Sequence, residues 1–454
     1  MSNEKERAVT STLAKAKTDG LAHLLASCML ADGGFAEHPR EPDSPHSLGL
    51  KFTAFDGSEA GPPGARFGFH LESERGARYL FTAPGELGLA RAYVSGELRL
   101  SGVHEGDPYE ALKLLADNLR FHPPSTVELL KTVAALGPRT LAPIAPPPQE
   151  ARPRWRRIAE GLKHSKTRDA EAIHHHYDVS NAFYEYVLGP SMTYTCACYP
   201  DSEASLEAAQ EHKYQLVFEK LDLKPGDRLL DVGCGWGGMV RHAARRGVKA
   251  LGVTLSAQQA QWAQRAIERE GLGDLAEVRH SDYRDVAEED FDAVSSIGLT
   301  EHIGVANYPA YFAFLGGKLK TGGLLLNHCI TRPDSKLANR AGSFIDRYVF
   351  PDAELASSGR ITVEIQDSGL EVRHSENLRE HYALTLRDWC RNLAARWDDA
   401  VGEVGEGTAR VWGLYLAGSR LNFERNNIQL HQVLAVKTDE RGEAGLPLRP
   451  WWQP

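Results

Sequence analysis

Residues 229–238 read LLDVGCGWGG, and they are the most informative part of the chain about its fold class. A short apolar segment runs directly into a glycine-rich turn, and a second apolar segment, ALGVT at residues 250–254, follows after the length of one helix. Glycines let the backbone turn sharply and approach a ligand closely at the carboxyl end of a first strand. The pattern predicts an α/β domain with a nucleoside-sized pocket at this turn.

The spacing of the glycines argues against a dinucleotide. The dinucleotide fingerprint reads G-x-G-x-x-G, and an acidic residue ends the second strand. Here the spacing from Gly233 to Gly238 is G-x-G-x-G-G, and the second strand ends in Thr254, Leu255 and Ser256. The pattern favours a nucleoside cofactor over the dinucleotide NAD. Similar glycine turns also occur in strand-to-helix connections that bind no ligand.

The composition limits the class of protein. At 454 residues the chain exceeds the limit of about 250–300 residues for a single core, so we expect at least two domains. The net charge of −9 argues against nucleic-acid binding, which needs a basic surface.

Six scattered cysteines without a CxxC pair predict reduced thiols and a cytoplasmic location. Because the N-terminus lacks an apolar leader and no apolar run could span a bilayer, contact with lipid is expected to be peripheral.

The chain divides into three regions. Residues 1–136 are expected to form a small α+β domain, with a helix at 21–30 and strands at 67–71, 79–81 and 98–100. Residues 137–170 are a linker, because six prolines fall between Gly137 and Pro153. Residues 171–454 form the domain with the glycine turn.

A basic cluster lies within the linker. It surrounds Trp155 and consists of Arg152, Arg154, Arg156, Arg157, Lys163, Lys166 and Arg168. In an acidic protein such a cluster is either a contact for lipid headgroups or a solvated helix face, and both interpretations stay open.

The third region predicts a doubly wound sheet. Four apolar segments end at Val232, at Thr254, before Asp282 and at Ile297, and a fifth covers residues 324–330. We expect a hairpin formed by 361–365 and 370–373, and a last strand at 428–436. Parallel strands with crossover helices bring the carboxyl ends of the first four strands to one crevice.

Seven further segments accompany the glycine turn in a recognisable order. They are HHYDVSN at 175–181, YTCA at 194–197, GVTLSAQQ at 252–259, DYRD at 282–285, EHIG at 301–304, NHCI at 327–330 and NNIQL at 426–430. Together they resemble the cyclopropane-fatty-acid synthases and mycolic-acid methyltransferases, which transfer one carbon from S-adenosylmethionine to a lipid alkene. The resemblance covers about residues 171–437 and implies a mostly parallel, seven-stranded methyltransferase sheet with a helical acyl-chain lid at about 331–382.

The resemblance also implies the residues that bind S-adenosylmethionine. They are Tyr194, Thr195, Asp231, Gly233, Gly235, Thr254, Leu255, Gln259, Asp282, Tyr283 and Arg284. A sulfonium nucleoside carries no pyrophosphate, so the turn needs close backbone approach more than an anion site. For Leu255 and Tyr283, ordinary core packing is the alternative.

An alkene substrate requires a dry, aromatic site. An isolated cis alkene has no proton to remove, so methyl transfer generates a carbocation that water would quench. Aromatic faces tolerate positive charge, and the candidates for the acyl site are Tyr177, Tyr308, Phe344 and Tyr348. Each of these aromatics could instead be a core residue.

The resemblance implies a bound bicarbonate that removes the last proton. The matching residues are Glu301, His328 and Tyr382 through their side chains, and Cys196 and Ile330 through their backbone. A small anion held in this way can act as a general base. The alternative is that Glu301 and His328 are structural polar residues with ordinary partners. No metal site is expected, because neither His174–His176 nor Cys196 and Cys198 have the spacing of zinc ligands.

The product and partners follow from the same resemblance. Residues 84–98 look closer to the actinobacterial branch, which includes enzymes that form the 10-methylene precursor of tuberculostearic acid. We therefore expect alkylation of a phospholipid-bound unsaturated acyl chain, giving a methylene or a cyclopropane product. The resemblance implies that the N-terminal domain contacts lipid. It also implies a membrane surface as a partner, a homodimer, and a reductase partner if the product is a methylene group. A methyltransferase for a soluble small molecule and a non-catalytic lipid-binding protein are the alternatives.

Overall fold

The computed structural model describes residues 20–29, 49–118, 137–151, 179–336, 342–351 and 353–452. The chain forms two compact units, one of Met1–Ala151 with Gly405–Gly418, the other of Arg152–Val404 with Ser419–Pro454. Residues 405–418 thus group with the first unit, although the sequence analysis assigned them to the domain 171–454. The basic cluster around Trp155 lies outside the described residues.

The first unit contains a four-stranded sheet in the order β2-β1-β3-β4. Its strands are β1 Leu50–Ala54, β2 Glu59–Ala60, β3 Phe67–Leu71 and β4 Leu98–Ser101. Its helices are α1 Leu21–Met29, α2 Glu74–Thr82, α3 Glu86–Val94 and α4 Tyr109–Asn118. The sheet and α1 enclose a core that includes Leu25, Phe52, Phe69 and Tyr79.

One predicted strand of this unit is wrong. Residues 79–81 lie in α2, which begins after Ser73, whose side chain accepts hydrogen bonds from the backbone N–H groups of Arg75 and Gly76. Gly76 and Tyr79 are buried at helical spacing, so the apolar run is one face of a helix.

The second unit is built on a seven-stranded sheet in the order β10-β11-β9-β8-β5-β6-β7. Its strands are β5 Arg228–Val232, β6 Lys249–Thr254, β7 Ala276–His280, β8 Phe291–Ile297, β9 Leu319–Thr331, β10 Glu371–Asn377 and β11 Gln429–Val436. All neighbours from β9 to β7 are parallel, and β11 is antiparallel to both β9 and β10. The prediction of a mostly parallel, doubly wound sheet is confirmed.

Helices connect these strands. They are α5 Asn181–Leu188, α6 Leu206–Lys220, α7 Gly238–Ala244, α8 Ala257–Arg269, α9 Thr300–Ile303, α10 Tyr308–Lys318, α11 Ser358–Asp367, α12 Arg379–Ala395 and α13 Trp397–Val404, while α14 Glu406–Glu424 extends into both units. Both faces of the sheet are covered, because Leu229 and Leu326 belong to one apolar core and Leu230 and Leu325 to the other. None of the described helices is long and apolar enough to cross a membrane.

The predicted hairpin at 361–365 and 370–373 is wrong. Residues 361–365 lie in α11, which begins after Ser357, whose side chain accepts a hydrogen bond from the N–H of Arg360. Ile361 and Ile365 are both buried, and this i, i+4 spacing fits one face of a helix. The strand β10 instead pairs with β11.

The described residues of the segment 331–382 include α11 and the start of α12. A short π-helix covers Ile345–Val349, and β10 belongs to the main sheet. A lid function for this segment stays a prediction.

Candidate active site

A cleft lies at the carboxyl ends of four parallel strands. Residues that follow β5, β6, β7 and β8 all line it, and its volume is about 1070 Å³ including the open mouth. The carboxyl ends of these four parallel strands therefore share one cleft.

The glycine turn forms one wall of the cleft. Gly233, Gly235 and Gly237 have φ angles of +75°, +55° and +71°, which L side chains rarely adopt. A Cβ on Gly233 would approach Leu299 to 3.0 Å, whereas a Cβ on Gly235 would project into open space. The turn therefore leaves the space above Gly235 for a ligand.

Ten of the eleven residues expected to bind the cofactor line this cleft. They are Tyr194, Thr195, Asp231, Gly233, Gly235, Thr254, Leu255, Gln259, Tyr283 and Arg284. Asp282 is not among the lining residues, but its carboxylate accepts hydrogen bonds from Nε of Arg284 at 2.8 Å and Nη2 at 2.6 Å. Asp282 thus orients Arg284 at the rim.

Two buried ionisable groups lie at the cleft: Asp231 lines it, and Lys213 contacts the lining residue Thr195. Asp231 accepts a hydrogen bond of 2.6 Å from Oγ of Ser295, and burial raises the pKa of its carboxyl to about 6. Nζ of Lys213 donates to Oγ1 of Thr195 at 2.7 Å, and burial lowers the pKa of its ammonium to about 8. Burial thus moves the pKa values of Asp231 and Lys213 towards neutral pH, so the charge of each group depends on what binds beside it.

Glu301 lies at the edge of this cleft, in the same short helix as the lining residues His302 and Ile303. Its Oε1 accepts a hydrogen bond of 2.7 Å from the backbone N–H of Ile330. Oε2 is buried and has no hydrogen-bond partner among the described residues. Burial raises the pKa of the carboxyl to about 7.

His328 lies on β9, two residues before Ile330 and on the same side of the strand. It is fully buried, and Nδ1 is 3.2 Å from Nε2 of Gln432. Burial, with the nearby charges of Lys213 and Lys220, lowers the pKa of the imidazole well below its usual range. Nε2 has no partner in the described part of the chain.

A series of hydrogen bonds connects the other predicted base-site residues, Cys196 and Tyr382, to Ile330 on β9. Ile330 pairs with Leu430 in the ladder between β9 and β11. The carbonyl of Leu430 accepts a hydrogen bond from the N–H of Leu378 at 2.8 Å. The carbonyl of Leu378 in turn accepts from the N–H of Tyr382 at 3.2 Å and from Sγ of Cys196 at 3.8 Å. Tyr382 and Cys196 are thus connected to Ile330 through Leu378 and Leu430, and their joint role in a base site stays a prediction.

The predicted acyl-site aromatics that the structure describes are buried. Tyr308 is 1% exposed, and this burial raises the pKa of its phenol. The nearby negative charge of Glu301 raises the pKa of Tyr308 further. Phe344 and Tyr348 stack with ring centroids 5.3 Å apart. Tyr177 lies outside the described residues.

The described residues contain no cluster of three or more His, Cys, Asp or Glu side chains that could hold a metal ion. His174–His176, the stretch considered for zinc, fall outside the described ranges.

Residues 164–433 match the family model of mycolic acid cyclopropane synthetase. The chain belongs to this family. Membership makes it an S-adenosylmethionine-dependent methyltransferase, as the sequence analysis predicted.

Members of the cyclopropane synthetase family are similar over much of the chain. A probable fatty acid methyltransferase of Mycobacterium tuberculosis is 71% identical over 89% of this chain and 95% of its own length. The cyclopropane-fatty-acyl-phospholipid synthase of Escherichia coli K12 is 35% identical over 59% of this chain and 68% of its own. The tuberculostearic acid methyltransferase UfaA1 of Mycobacterium tuberculosis is 34% identical over 68% and 73%.

Solved structures agree with the family assignment. The cyclopropane synthase MmaA2 of Mycobacterium tuberculosis matches with a TM-score of 0.56 and 29% identity, over 60% of this chain and 99% of that one. The mycolic acid cyclopropane synthase CmaA1, crystallised in complex with SAH and CTAB, matches with a TM-score of 0.56 and 30% identity, over 61% and 99%.

The structure adds site residues that sequence reasoning missed. Trp389 is fully buried, and its ring centroid lies 5.4 Å from that of Tyr194 and 6.0 Å from that of Tyr382. Lys213 and Lys220 are the other additions, both completely buried on α6. Lys213, Val217 and Lys220 lie on one face of α6, at i, i+4 and i+7. The available sequence signal was two lysines at positions of this apolar face, because lysine is rarely buried without a specific partner.

Proposed function

We propose that this protein transfers the methyl group of S-adenosylmethionine to the cis double bond of an unsaturated fatty acyl chain in a phospholipid. The observation that carries the proposal is that two buried atoms, Glu301 Oε2 and His328 Nε2, have no hydrogen-bond partner among the described residues. Both residues adjoin the cleft, because Glu301 precedes the lining residue His302 and the carbonyl of His328 accepts from the N–H of the lining residue Gly298. Similarity to a fatty acid methyltransferase and to a cyclopropane-fatty-acyl-phospholipid synthase supports an acyl substrate.

The first step forms one bond and breaks one bond. The π electrons of the alkene bond to the methyl carbon, and the electrons of the S–C bond leave with sulfur as S-adenosylhomocysteine. The acyl chain is then a carbocation and must be kept from water. Tyr308, Phe344 and Tyr348 are buried, so their ring faces can stabilise positive charge in a dry site.

Loss of a proton completes the reaction. If the proton leaves the new methyl group as a C–C bond closes, a cyclopropane forms. If a hydride first shifts from the methylated carbon to its neighbour, the same loss gives an exocyclic methylene. The same residues serve both outcomes, because they diverge only after methyl transfer.

We further propose that bicarbonate is held between Glu301 and His328. Glu301 Oε2 can accept a hydrogen bond and a neutral imidazole can donate one, which matches an anion that carries both O–H and O⁻ groups. When bound, bicarbonate would supply a small general base at this position. Tyr382 and the backbone of Cys196 and Ile330 complete the proposed binding set.

Lipid mass spectrometry tests the proposed function. Cells that contain oleoyl phospholipids and express the protein should accumulate acyl chains with a one-carbon mass gain. Mild hydrogenation then separates the products, because a methylene group takes up hydrogen and a cyclopropane ring does not. Absence of the mass gain in cells that produce folded protein would contradict the proposal.

A phospholipid substrate places the reaction at a membrane surface, and we propose peripheral association, a homodimer and, for a methylene product, a reductase partner. Co-sedimentation with vesicles that contain oleoyl phospholipids should recover the protein in the pellet. Full turnover of a soluble small molecule without vesicles would count against this part of the proposal.

A further inference from the structure

Four side chains form a continuous line that ends at His328. Glu376 lies on β10, Lys220 is the last residue of α6, and Gln432 lies on β11 directly opposite His328 in the ladder with β9. The line therefore connects the edge strand of the sheet with the proposed base site.

Lys220 fixes the orientation of the amide of Gln432. Its Nζ is completely buried, forms an ion pair with Glu376 and donates to Oε1 of Gln432 at 2.7 Å. An ammonium group has donors only, so the oxygen of the amide must face Lys220. Its NH₂ group consequently faces His328.

The orientation of the amide decides which nitrogen of His328 carries the proton. Nε2 of Gln432 donates to Nδ1 of His328, so Nδ1 is an acceptor. Burial and two nearby lysine charges keep the pKa of the imidazole low, and a neutral imidazole has one N–H. The hydrogen is then on Nε2, the buried atom that has no partner among the described residues.

We infer that Lys220 and Gln432 are positioning residues that hold His328 as its Nε2–H tautomer, so that the site presents a hydrogen-bond donor to an oxyanion. The opposite tautomer would present a lone pair, which repels an anionic oxygen. A buried lysine is strongly unfavourable unless it is paired, and the contacts with Glu376 and Gln432 meet that condition. The inference rests on the proposed function only for the identity of the anion as bicarbonate.

NMR spectroscopy of the ¹⁵N-histidine-labelled full chain measures the tautomer directly. Long-range ¹H–¹⁵N correlations distinguish Nδ1–H from Nε2–H, and the His328→Gln variant identifies the signals of His328. We expect Nε2–H in the unmodified protein. His431 is an internal reference, because it points to the opposite face of β11 from Gln432 and its Nδ1 is 2.8 Å from Oγ1 of Thr331.

The decisive variant is Gln432→Glu. A carboxylate can still accept from Lys220 but cannot donate to Nδ1, so the proton of His328 should move to Nδ1 while the His431 signals stay in place. The apparent KM for bicarbonate should rise about tenfold, as expected for loss of one hydrogen bond to a charged group, with unchanged affinity for S-adenosylmethionine. Lys220→Met should produce a mixture of tautomers because the amide can then rotate, and Lys220→Arg should restore the single Nε2–H form.

Nδ1–H in the unmodified protein, or an unaltered tautomer in Gln432→Glu, would overturn the inference. Turnover that does not depend on bicarbonate would contradict the proposed base instead, since the tautomer measurement does not depend on activity.

Discussion

The Oε1 atom of Glu301 accepts a hydrogen bond of 2.7 Å from the backbone N–H of Ile330. The fold therefore uses one oxygen of this carboxyl group and leaves Oε2 buried without a partner among the described residues. Because burial raises the pKa to about 7, the group exchanges its proton near neutral pH. This combination is typical of acid–base sites.

Glu301→Gln should abolish most turnover and leave cofactor binding intact. The amide can still accept from Ile330, but it has an NH₂ group where an acceptor is needed, so we expect a loss of about 10²–10⁴-fold. Turnover by lipid mass spectrometry and affinity for S-adenosylmethionine by calorimetry check this. Glu354→Gln is the control, because this neighbouring carboxylate also accepts from a backbone N–H, that of Val305. Equal turnover in the two variants would refute the proposed base site.

The free energy of unfolding should depend on pH because the pKa of Glu301 is raised in the folded state. Burial raises the pKa from 4.5 to about 7, so between these values the folded state holds a proton that the unfolded state releases. The contribution of Glu301 to the free energy of unfolding is largest below pH 4.5 and falls as pH rises towards 7, by on the order of 3 kcal/mol.

Urea unfolding at several pH values in CO₂-free buffer measures this effect. The difference in unfolding free energy between the unmodified protein and Glu301→Gln should decrease from acidic to neutral pH. Groups that both proteins share, such as Asp231, cancel in the difference. Parallel curves would mean that Glu301 titrates normally.

Gly235→Ala should impair cofactor binding more than stability. Its φ is +55° and a Cβ there would enter the open space of the cleft. Gly271 is a matched control, with φ of +67° and no atom within 4 Å of a built Cβ, and it does not line the cleft. Both variants should lose about 1 kcal/mol of stability, and calorimetry should show weaker binding of S-adenosylmethionine in Gly235→Ala alone. Similar affinities in both would place the cofactor elsewhere.

Asp282→Asn should weaken cofactor binding by releasing Arg284 at the rim. Asp282 is buried and Arg284 is about one-third exposed, and asparagine keeps an oxygen that can accept from Arg284, so the substitution should cost on the order of 1 kcal/mol of stability. Glu277→Gln is the control, because Glu277 holds Arg279 in the same i, i+2 arrangement and neither residue lines the cleft. Binding that weakens equally in both variants would indicate a general electrostatic effect.

Much of the second unit was predictable because it rests on local patterns. The apolar runs ending at Val232, Thr254 and Ile297 are strands, and the residues that follow them converge on one cleft because parallel strands share their carboxyl edge. The prediction failed at 79–81 and 361–365, where short apolar runs fit a helix face as well as a strand. Caps at Ser73 and Ser357 decide those cases.

Local sequence patterns were enough to predict the family, the α/β sheet and the chemical types of residues at the site. The hydrogen bonds that those residues form depend on the folded chain: the N–H of Ile330 bonds to one oxygen of Glu301, and Lys220 and Gln432 connect to His328. Gln432 lies 212 residues from Lys220 and 104 from His328, so no local pattern relates them. Their contact exists because β11 inserts antiparallel between β9 and β10, which brings the side chains into register.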